Sequence, residues 1–198
     1  MLLWAASIFW GGRMLLNYEN APGERGNPAP AWPSESRIAR PRNRFFLVMF
    51  LHPDCPCSQA SVTELARLMA KLQGRLGSAV VFGRPASDEN SVHAGSLWKR
   101  VAGIPEIAEL YDGQGAEIDH FGGWTSGEAM LFDPNGRLVF HGGITSARGH
   151  EGDNAGSDAI IRLVRGESRA MANTAVFGCS LRNPGAQTLR EEPAWTKR

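Results

Sequence analysis

The sequence predicts an α/β domain in which helices cover a central mixed β-sheet, and three segments carry this prediction. Residues 45–51 are continuously apolar, as in a strand that is buried on both faces. Residues 58–76 have the apolar period of an amphipathic helix, and residues 78–83 form a second apolar strand, so a parallel, right-handed βαβ unit is expected. Residues 128–140 place two apolar strands around an Asp-Pro-Asn-Gly turn, which predicts a C-terminal β-hairpin.

The remaining elements have weaker patterns. Residues 92–101 and residues 158–165 are predicted to be helices, and residues 116–121 one or two helical turns. Residues 106–111 fit a short strand and a short helix equally well. The tail after Gly166 has no regular pattern.

The N-terminal run of residues 1–16 is apolar apart from Arg13, and polar residues follow it directly. A helix that spans a bilayer needs about 20 apolar residues, so this run is slightly short. No basic residues precede it and no small-x-small cleavage site follows. We expect residues 1–18 to be a membrane anchor or an uncleaved signal, and a cleaved signal or a buried helix are the alternatives.

Composition divides the rest of the chain. Residues 19–43 are rich in Pro, Gly, Asn, Ser and Arg, which predicts an extended linker. Residues 44–166 hold the predicted domain, and residues 167–198 form a tail. The 198 residues, 42% of them hydrophobic, suffice for one domain with a real core, and the net charge of +1 gives no sign of a nucleic-acid-binding surface.

Cys55 and Cys57 are the strongest functional signal, because they lie between a buried strand and a helix. The free N–H groups and the dipole at a helix N-terminus stabilise a thiolate. Such a thiolate attacks disulfides near neutral pH, and a second thiol then resolves the mixed disulfide. Pro56 restricts the backbone between the two cysteines. The pattern therefore predicts dithiol exchange, and two buried thiols without a reaction are the structural alternative.

A metal site is the second chemical interpretation of the same residues. Thiolates suit soft metals such as Cu(I), and imidazole is a common further ligand. The ligands would be Cys55, Cys57 and His150, and the cofactor would be copper. The leading interpretation, dithiol exchange, needs no cofactor.

Several segments resemble known proteins. Residues 46–59, Phe-Leu-Val-Met-Phe-Leu-His-Pro-Asp-Cys-Pro-Cys-Ser-Gln, resemble the active-site strand and helix start of the thioredoxin superfamily. Residues 128–140 are similar to that family's antiparallel hairpin. Segments 55–58, 124–127 and 142–154 also resemble a bacterial membrane-anchored branch labelled RedB-type.

The superfamily resemblance covers residues 44–165 and implies a thioredoxin-like fold with thiol-disulfide exchange. Cys55 matches the family's exposed attacking cysteine and Cys57 its resolving one. Two features depart from the family. The spacing is C-x-C instead of C-x-x-C, and Gly127 stands where a thioredoxin has its cis-proline, which presents backbone groups to the substrate and helps to keep metals away.

The glycine-rich loop over residues 141–156 is the other unusual stretch. In this fold the second hairpin strand returns to the active-site edge of the sheet, so the loop is expected near Cys55. Arg148 or His150 would stabilise the Cys55 thiolate there, and His141 or His150 would complete a metal site. An ordered surface loop with solvated charges is the alternative.

Two single residues have two interpretations each. His52 either tunes Cys55 electrostatically or caps the turn. Cys179 is either a relay or partner-forming thiol, or a packed free thiol, and its neighbours Val176 and Phe177 favour burial.

Together these features predict a thiol-disulfide oxidoreductase that exchanges disulfides with protein substrates in the periplasm or an equivalent extracytoplasmic space. We expect a single-pass attachment to the cell membrane through the N-terminal segment. Cys55 is expected to be the more accessible thiol and to attack, whereas Cys57 is expected to be enclosed and to resolve. A copper-binding assembly factor with a thioredoxin-like fold is the alternative.

Overall fold

One mixed β-sheet organises the part of the chain that the computed structural model describes, residues 2–83, 89–167 and 172–181. Its six strands are β1 (Phe45–Leu51), β2 (Leu76–Gly83), β3 (Ile107–Asp112), β4 (Glu128–Phe132), β5 (Leu138–Gly143) and β6 (Ala172–Asn173). Their order across the sheet is β3-β2-β1-β4-β5-β6. β1 is parallel to β2 and antiparallel to β4, so β1 lies where the two halves of the sheet meet.

Among the described residues, one helix precedes the first strand in the chain and five lie in the connections between strands. They are α1 (Leu2–Asn20), α2 (Ser58–Lys71), α3 (Glu89–Ala94), α4 (Ser96–Ala102), α5 (Ala116–Phe121) and α6 (Ala155–Arg165).

The predicted βαβ unit and hairpin are both present. β1 has the predicted bounds, and the strands β4 and β5 flank the expected turn. α2 ends at Lys71, earlier than predicted, because the chain turns at Gly74 with a φ of +73° and enters β2 at Leu76. Leu76 pairs with Phe45, so the parallel register extends along the whole of β1.

Two predicted elements differ from the structure, and a third, which the sequence left open between strand and helix, is a strand. The single helix expected over residues 92–101 is split into α3 and α4, because Gly95 has an extended conformation, with φ of −64° and ψ of 151°, at the start of α4. Residues 106–111 form most of the edge strand β3, parallel to β2. α6 begins three residues before the predicted start, because the Asn154 side chain accepts a hydrogen bond from the Ser157 N–H and caps the helix there.

The two faces of β1 enter two hydrophobic clusters, as the alternation of side chains along a strand requires. Leu47, Met49 and Leu51 pack with residues of α2, α4 and α6. Phe46, Val48 and Phe50 pack on the opposite face with α5. Both clusters are fully enclosed, so the end of β1 is a rigid support for the turn that follows it.

The segment predicted to be a linker lies on the domain instead of extending away from it. Trp32 packs edge-on against Phe121 and Phe132, with ring centroids 5.0 and 5.1 Å apart. Arg37 donates from its backbone and its side chain to the buried Glu117, at 2.8 and 3.2 Å. Residues 19–43 lack regular strands because their Pro and Gly content excludes them, yet their aromatic and polar side chains add to the core of the domain.

At the N-terminus, α1 leaves large apolar side chains such as Leu3, Trp4 and Phe9 exposed. Within the described residues, no helix has the length and apolar character that crossing a membrane requires. The last turn of α1 reaches the glycine-rich loop, where the Glu19 carbonyl accepts from the Arg148 N–H at 3.0 Å.

Candidate active site

The Cys-Pro-Cys turn joins the end of β1 to the start of α2. The Cys55 N–H donates to the His52 carbonyl at 3.2 Å, and the Cys55 carbonyl accepts from the Ser58 N–H at 3.0 Å. Cys57 immediately precedes α2 and makes no side-chain cap. The positive end of α2 therefore lies beside the cysteines, where it favours a thiolate.

The accessibility of the two cysteines is the reverse of the prediction. Cys55 is only 3% exposed, whereas Cys57 is half-buried. The expectation that the end of a strand opens to solvent is wrong here, because a C-terminal segment, residues 174–181, brings Cys179 against Cys55. Nothing close in sequence to the Cys-Pro-Cys turn indicates that contact.

A third cysteine completes the site. The Cys179 sulfur lies 3.1 Å from the Cys55 sulfur, and all three cysteines are free thiols. This separation is that of a thiol hydrogen bond, about 1 Å longer than a disulfide bond. Both interpretations of Cys179 fit the structure, because it is a free, half-buried thiol and it contacts the candidate nucleophile.

The three thiols have different acidities. Burial alone would raise the pKa of Cys55, but hydrogen bonds from the thiol and backbone of Cys179, the backbone of Cys57 and the Ser58 hydroxyl lower that pKa below its ordinary value. Burial, followed by the negative charge of Cys55, raises the pKa of Cys57. Burial and the hydrogen bond to Cys55 raise the pKa of Cys179 to about 11. Cys55 is therefore the first of the three to become a thiolate.

Arg148, from the glycine-rich loop, is a cation that acts electrostatically on the cysteines. Its guanidinium donates to the Gly178 carbonyl at 2.6 Å and stacks over the Tyr18 ring at 5.0 Å. It opposes the rise in the pKa of both Cys57 and Cys179. Strand direction thus brought this part of the loop to the cysteines, but Arg148 acts on the second and third thiols.

His52 is engaged through its backbone and as a turn cap. Its carbonyl accepts from the Ser58 hydroxyl at 3.1 Å, and its N–H donates to the Ser126 hydroxyl at 2.9 Å. Its ring Nδ1 accepts from the Asp54 N–H at 3.1 Å. The Ser58 and Ser126 hydroxyls are also 2.9 Å apart, so this network joins the cysteine turn to the loop before β4.

Glu128 holds that loop in place from inside the protein. Its carboxylate is fully buried and accepts from the N–H groups of Trp124 and Thr125 at 2.6 and 3.1 Å. It also lies 2.5 Å from His141 Nε2 and accepts from the Gly26 N–H at 3.0 Å. Sequence reasoning missed this buried pair, although one titratable residue in each strand of an otherwise apolar hairpin was a signal for it.

The backbone at Gly127 has a conformation that proline cannot adopt. Its φ is +89°, and its N–H donates to the Phe50 carbonyl at 2.8 Å. Proline has a φ near −65° and no N–H, so it is incompatible with both features. A Cβ here would also approach the Ser61 hydroxyl to 2.9 Å.

The rest of the glycine-rich loop is tied to α2 and not to the cysteines. The buried Glu64 accepts from the Gly152 N–H at 2.7 Å and pairs with Arg67. His150 is exposed, and its ring Nδ1 lies 3.0 Å from the Arg148 carbonyl. In the described part of the chain, no group of three or more His, Cys, Asp or Glu side chains is arranged to hold a metal ion.

The sheet has the order β3-β2-β1-β4-β5-β6, the cysteine turn lies between β1 and α2 inside the parallel βαβ unit, and β4 and β5 form an antiparallel hairpin. The chain has a thioredoxin-like fold. A search of family models and a search of curated proteins gave no match.

Solved structures resemble this thioredoxin-like chain at low sequence identity. A hypothetical protein of Sinorhizobium meliloti 1021 is 19% identical, with a TM-score of 0.57 over 81% of this chain and 93% of that one. An uncharacterized conserved protein of Geobacillus kaustophilus has the same identity and TM-score over 83% and 94%. The exposed lipoprotein thioredoxin of Streptococcus pneumoniae strain TIGR4 is 18% identical, with a TM-score of 0.44 over 63% and 86%.

Proposed function

We propose that this protein is a thiol-disulfide oxidoreductase that exchanges disulfides with protein thiols and uses Cys55 as its attacking thiolate. The observation that carries the proposal is the position of the Cys55 sulfur, beside the start of α2 and 3.1 Å from a second thiol. A nucleophile needs a lowered pKa, and a two-electron exchange needs a second thiol within reach. Both conditions are met at Cys55, whose pKa is lowered despite burial.

The reaction has two balanced steps. The Cys55 thiolate attacks one sulfur of a substrate disulfide, the substrate S–S bond breaks, and the leaving thiolate takes a proton from water. A second thiol of the same chain then loses its proton and attacks the Cys55 sulfur, which releases the other substrate thiol. The substrate disulfide gains two electrons, and the protein dithiol becomes a disulfide. Each step is reversible, so the partner's potential determines the direction.

Access to Cys55 requires movement of the residues that bury it, and this constrains the substrate. Residues 178–181 lie against the loop before β4, and the Cys179 sulfur lies 3.1 Å from the buried Cys55 sulfur. A substrate therefore has to present its disulfide on a flexible or extended segment of its own chain, because a flat folded surface does not reach a sulfur that is 3% exposed.

The location that fits this chemistry is outside the cytoplasm, in an oxidising compartment where disulfides persist. The exposed apolar side chains of α1 support an attachment to the membrane. Fusion of a periplasm-dependent reporter to the C-terminus tests this location. Reporter activity is expected, and a reporter that is active only in the cytoplasm would contradict it.

Stopped-flow reaction of the full-length, fully reduced protein with oxidised glutathione tests the exchange itself. The wild type is expected to release two molecules of glutathione for each protein. Cys55→Ser is expected to lose the reaction by about 100-fold or more, because the lowered thiolate pKa is unique to that position. The double variant Cys57→Ser/Cys179→Ser is expected to stop at the mixed disulfide, visible by intact mass. A Cys55→Ser protein that reacts as fast as the wild type would refute the assignment.

A further inference from the structure

The strongest unassigned feature is the fit of Cys179 against the site. Its carbonyl accepts from the Ser126 N–H at 2.8 Å, and two residues later the Leu181 N–H donates to the Trp124 carbonyl at 2.7 Å. An isolated antiparallel bridge joins Thr125 to Ser180 between these bonds. Backbone pairing therefore aligns this segment with the loop before β4 and directs Cys179 at Cys55.

The segment is also fixed at both ends of this contact. Val176 and Leu181 are buried, and the Val176 carbonyl accepts from the Gly23 N–H at 2.8 Å. A Cβ at Gly178 would overlap the Ser126 carbonyl, so the close approach of the two backbones requires glycine there. Arg148 donates to the carbonyl of the same Gly178. Cys179 thus has a defined position and does not have to search for Cys55.

We infer that Cys179, and not Cys57, resolves the mixed disulfide on Cys55, so that the oxidised protein contains a Cys55–Cys179 disulfide. This inference rests on the proposed function, in which Cys55 is the attacking thiolate. It assigns a catalytic role to a cysteine 124 residues away in sequence. Cys57 then serves the reaction through its backbone N–H, which donates to Cys55.

Charge sets the order of the two steps. In the reduced protein the negative charge of Cys55 contributes to the high pKa of Cys179, so Cys179 remains protonated and its hydrogen bond lowers the pKa of Cys55. A mixed disulfide removes that charge from Cys55. Arg148, which opposes the rise in the pKa of Cys179, then remains as the nearby charge and favours the Cys179 thiolate. Cys179 becomes a nucleophile only after Cys55 has reacted.

The resolving step balances without a further reagent. Cys179 gives its proton to water, and its sulfur forms a bond to the Cys55 sulfur as the bond from Cys55 to the substrate sulfur breaks. The substrate leaves as a thiolate and takes up a proton. The contact of 3.1 Å has to shorten by about 1 Å to reach disulfide length. Pre-alignment of the reacting atoms makes such a step fast compared with resolution by a free thiol.

Peptide mapping of the oxidised protein tests the inference. The full chain is treated with oxidised glutathione, its remaining thiols are blocked, and it is digested with trypsin without reductant. Trypsin releases Cys55 and Cys57 together on residues 45–67 and Cys179 on residues 170–182. The expected product is a cross-link between these two peptides. The same cross-link in the Cys57→Ser variant identifies Cys55 as the partner, whereas an internal Cys55–Cys57 disulfide in the wild type would overturn the inference.

Kinetics of the single variants separate this inference from the proposed function. Cys57→Ser is expected to release the second glutathione within about threefold of the wild-type rate, and Cys179→Ser to slow that release by about tenfold or more and to accumulate the mixed disulfide. The opposite pattern would overturn the role of Cys179 but leave Cys55 as the nucleophile. If no variant forms a mixed disulfide on Cys55, the proposed function itself fails.

Gly178→Ala provides a variant that keeps all three cysteines. The added methyl group overlaps the Ser126 carbonyl and displaces the segment that carries Cys179. The first glutathione is expected to be released at least as fast as from the wild type, because Cys55 is less covered, and the second more slowly. Unfolding curves check that the domain remains folded. Unchanged release of the second glutathione, together with a displaced segment, would contradict the inference.

Discussion

Replacing Cys179 by Ala removes the thiol whose sulfur lies 3.1 Å from the Cys55 sulfur and whose hydrogen bond lowers the pKa of Cys55. Hydrogen bonds to charged groups contribute about 1.5–3 kcal/mol, and a thiol is a weak donor, so the lower value applies. Because one pKa unit corresponds to about 1.4 kcal/mol, the pKa of Cys55 is expected to rise by about one unit. The result is measured as the pH dependence of iodoacetamide alkylation, with the modified peptide identified by mass.

Cys179→Ser is the matched control, because it retains an O–H donor of similar size at the same position. Its Cys55 pKa is expected to lie closer to the wild type than that of Cys179→Ala. The two variants also separate hydrogen bonding from burial, since both replace the sulfur but only one removes the donor. A Cys55 pKa that is unchanged or lower in Cys179→Ala, relative to Cys179→Ser, would refute the hydrogen-bond argument.

Three further predictions concern the surroundings of the thiols. Glu128→Gln replaces the buried carboxylate that accepts from three backbone N–H groups and contacts His141 by a neutral amide, and it is expected to lower the free energy of unfolding by about 1–3 kcal/mol in urea titrations. The surface change Glu167→Gln is expected to shift that free energy by less than about 1 kcal/mol, and equal effects would contradict this role of Glu128. Arg148→Gln removes the cation that opposes the high pKa of Cys179, so this pKa is expected to rise above its wild-type value of about 11 and alkylation of Cys179 to begin at higher pH. Alkylation of Cys179 at lower pH than in the wild type would contradict this electrostatic role of Arg148. Folding raises the pKa of Cys179 from 9.0 to about 11 and therefore favours the protonated thiol, so the stability of the protein is expected to fall as the pH rises through this interval. The thermal unfolding temperature of Cys179→Ser is expected to decline less over the same interval. Identical declines in the two proteins would contradict this expectation.

The fold could be predicted to a large extent because its determinants are local. β1 has the predicted bounds, since seven consecutive apolar residues fit only a strand buried on both faces. The hairpin followed from its Asp-Pro-Asn-Gly turn. The predictions failed where a single backbone conformation decides, as at Gly95, which divides one expected helix into two. The pattern of the edge strand β3 left strand and helix open, because its hydrogen bonds to β2 and not its own pattern define it.

The segment of residues 19–43 shows a different limit. Its Pro and Gly content predicted irregular structure, which is present, but composition carries no information on whether an irregular segment packs. Trp32 lies in an aromatic cluster with Phe46, Phe121 and Phe132. A tryptophan in a polar stretch was the available signal, because a large apolar side chain tends to be buried.

What the sequence determined by itself is the chemistry of the Cys-Pro-Cys turn: two cysteines after a buried strand and before a helix, where the backbone N–H groups favour a thiolate. Only the tertiary structure decided which sulfur Cys55 contacts and how accessible it is. Those properties depend on the approach of Cys179 from 124 residues away, through backbone pairing with the loop before β4 and a close contact that only Gly178 permits. The start of the helix acts over a few residues of one segment. The sulfur contact, in contrast, requires two distant segments to be aligned to within a fraction of an ångström. Side-chain packing across the whole domain provides that alignment.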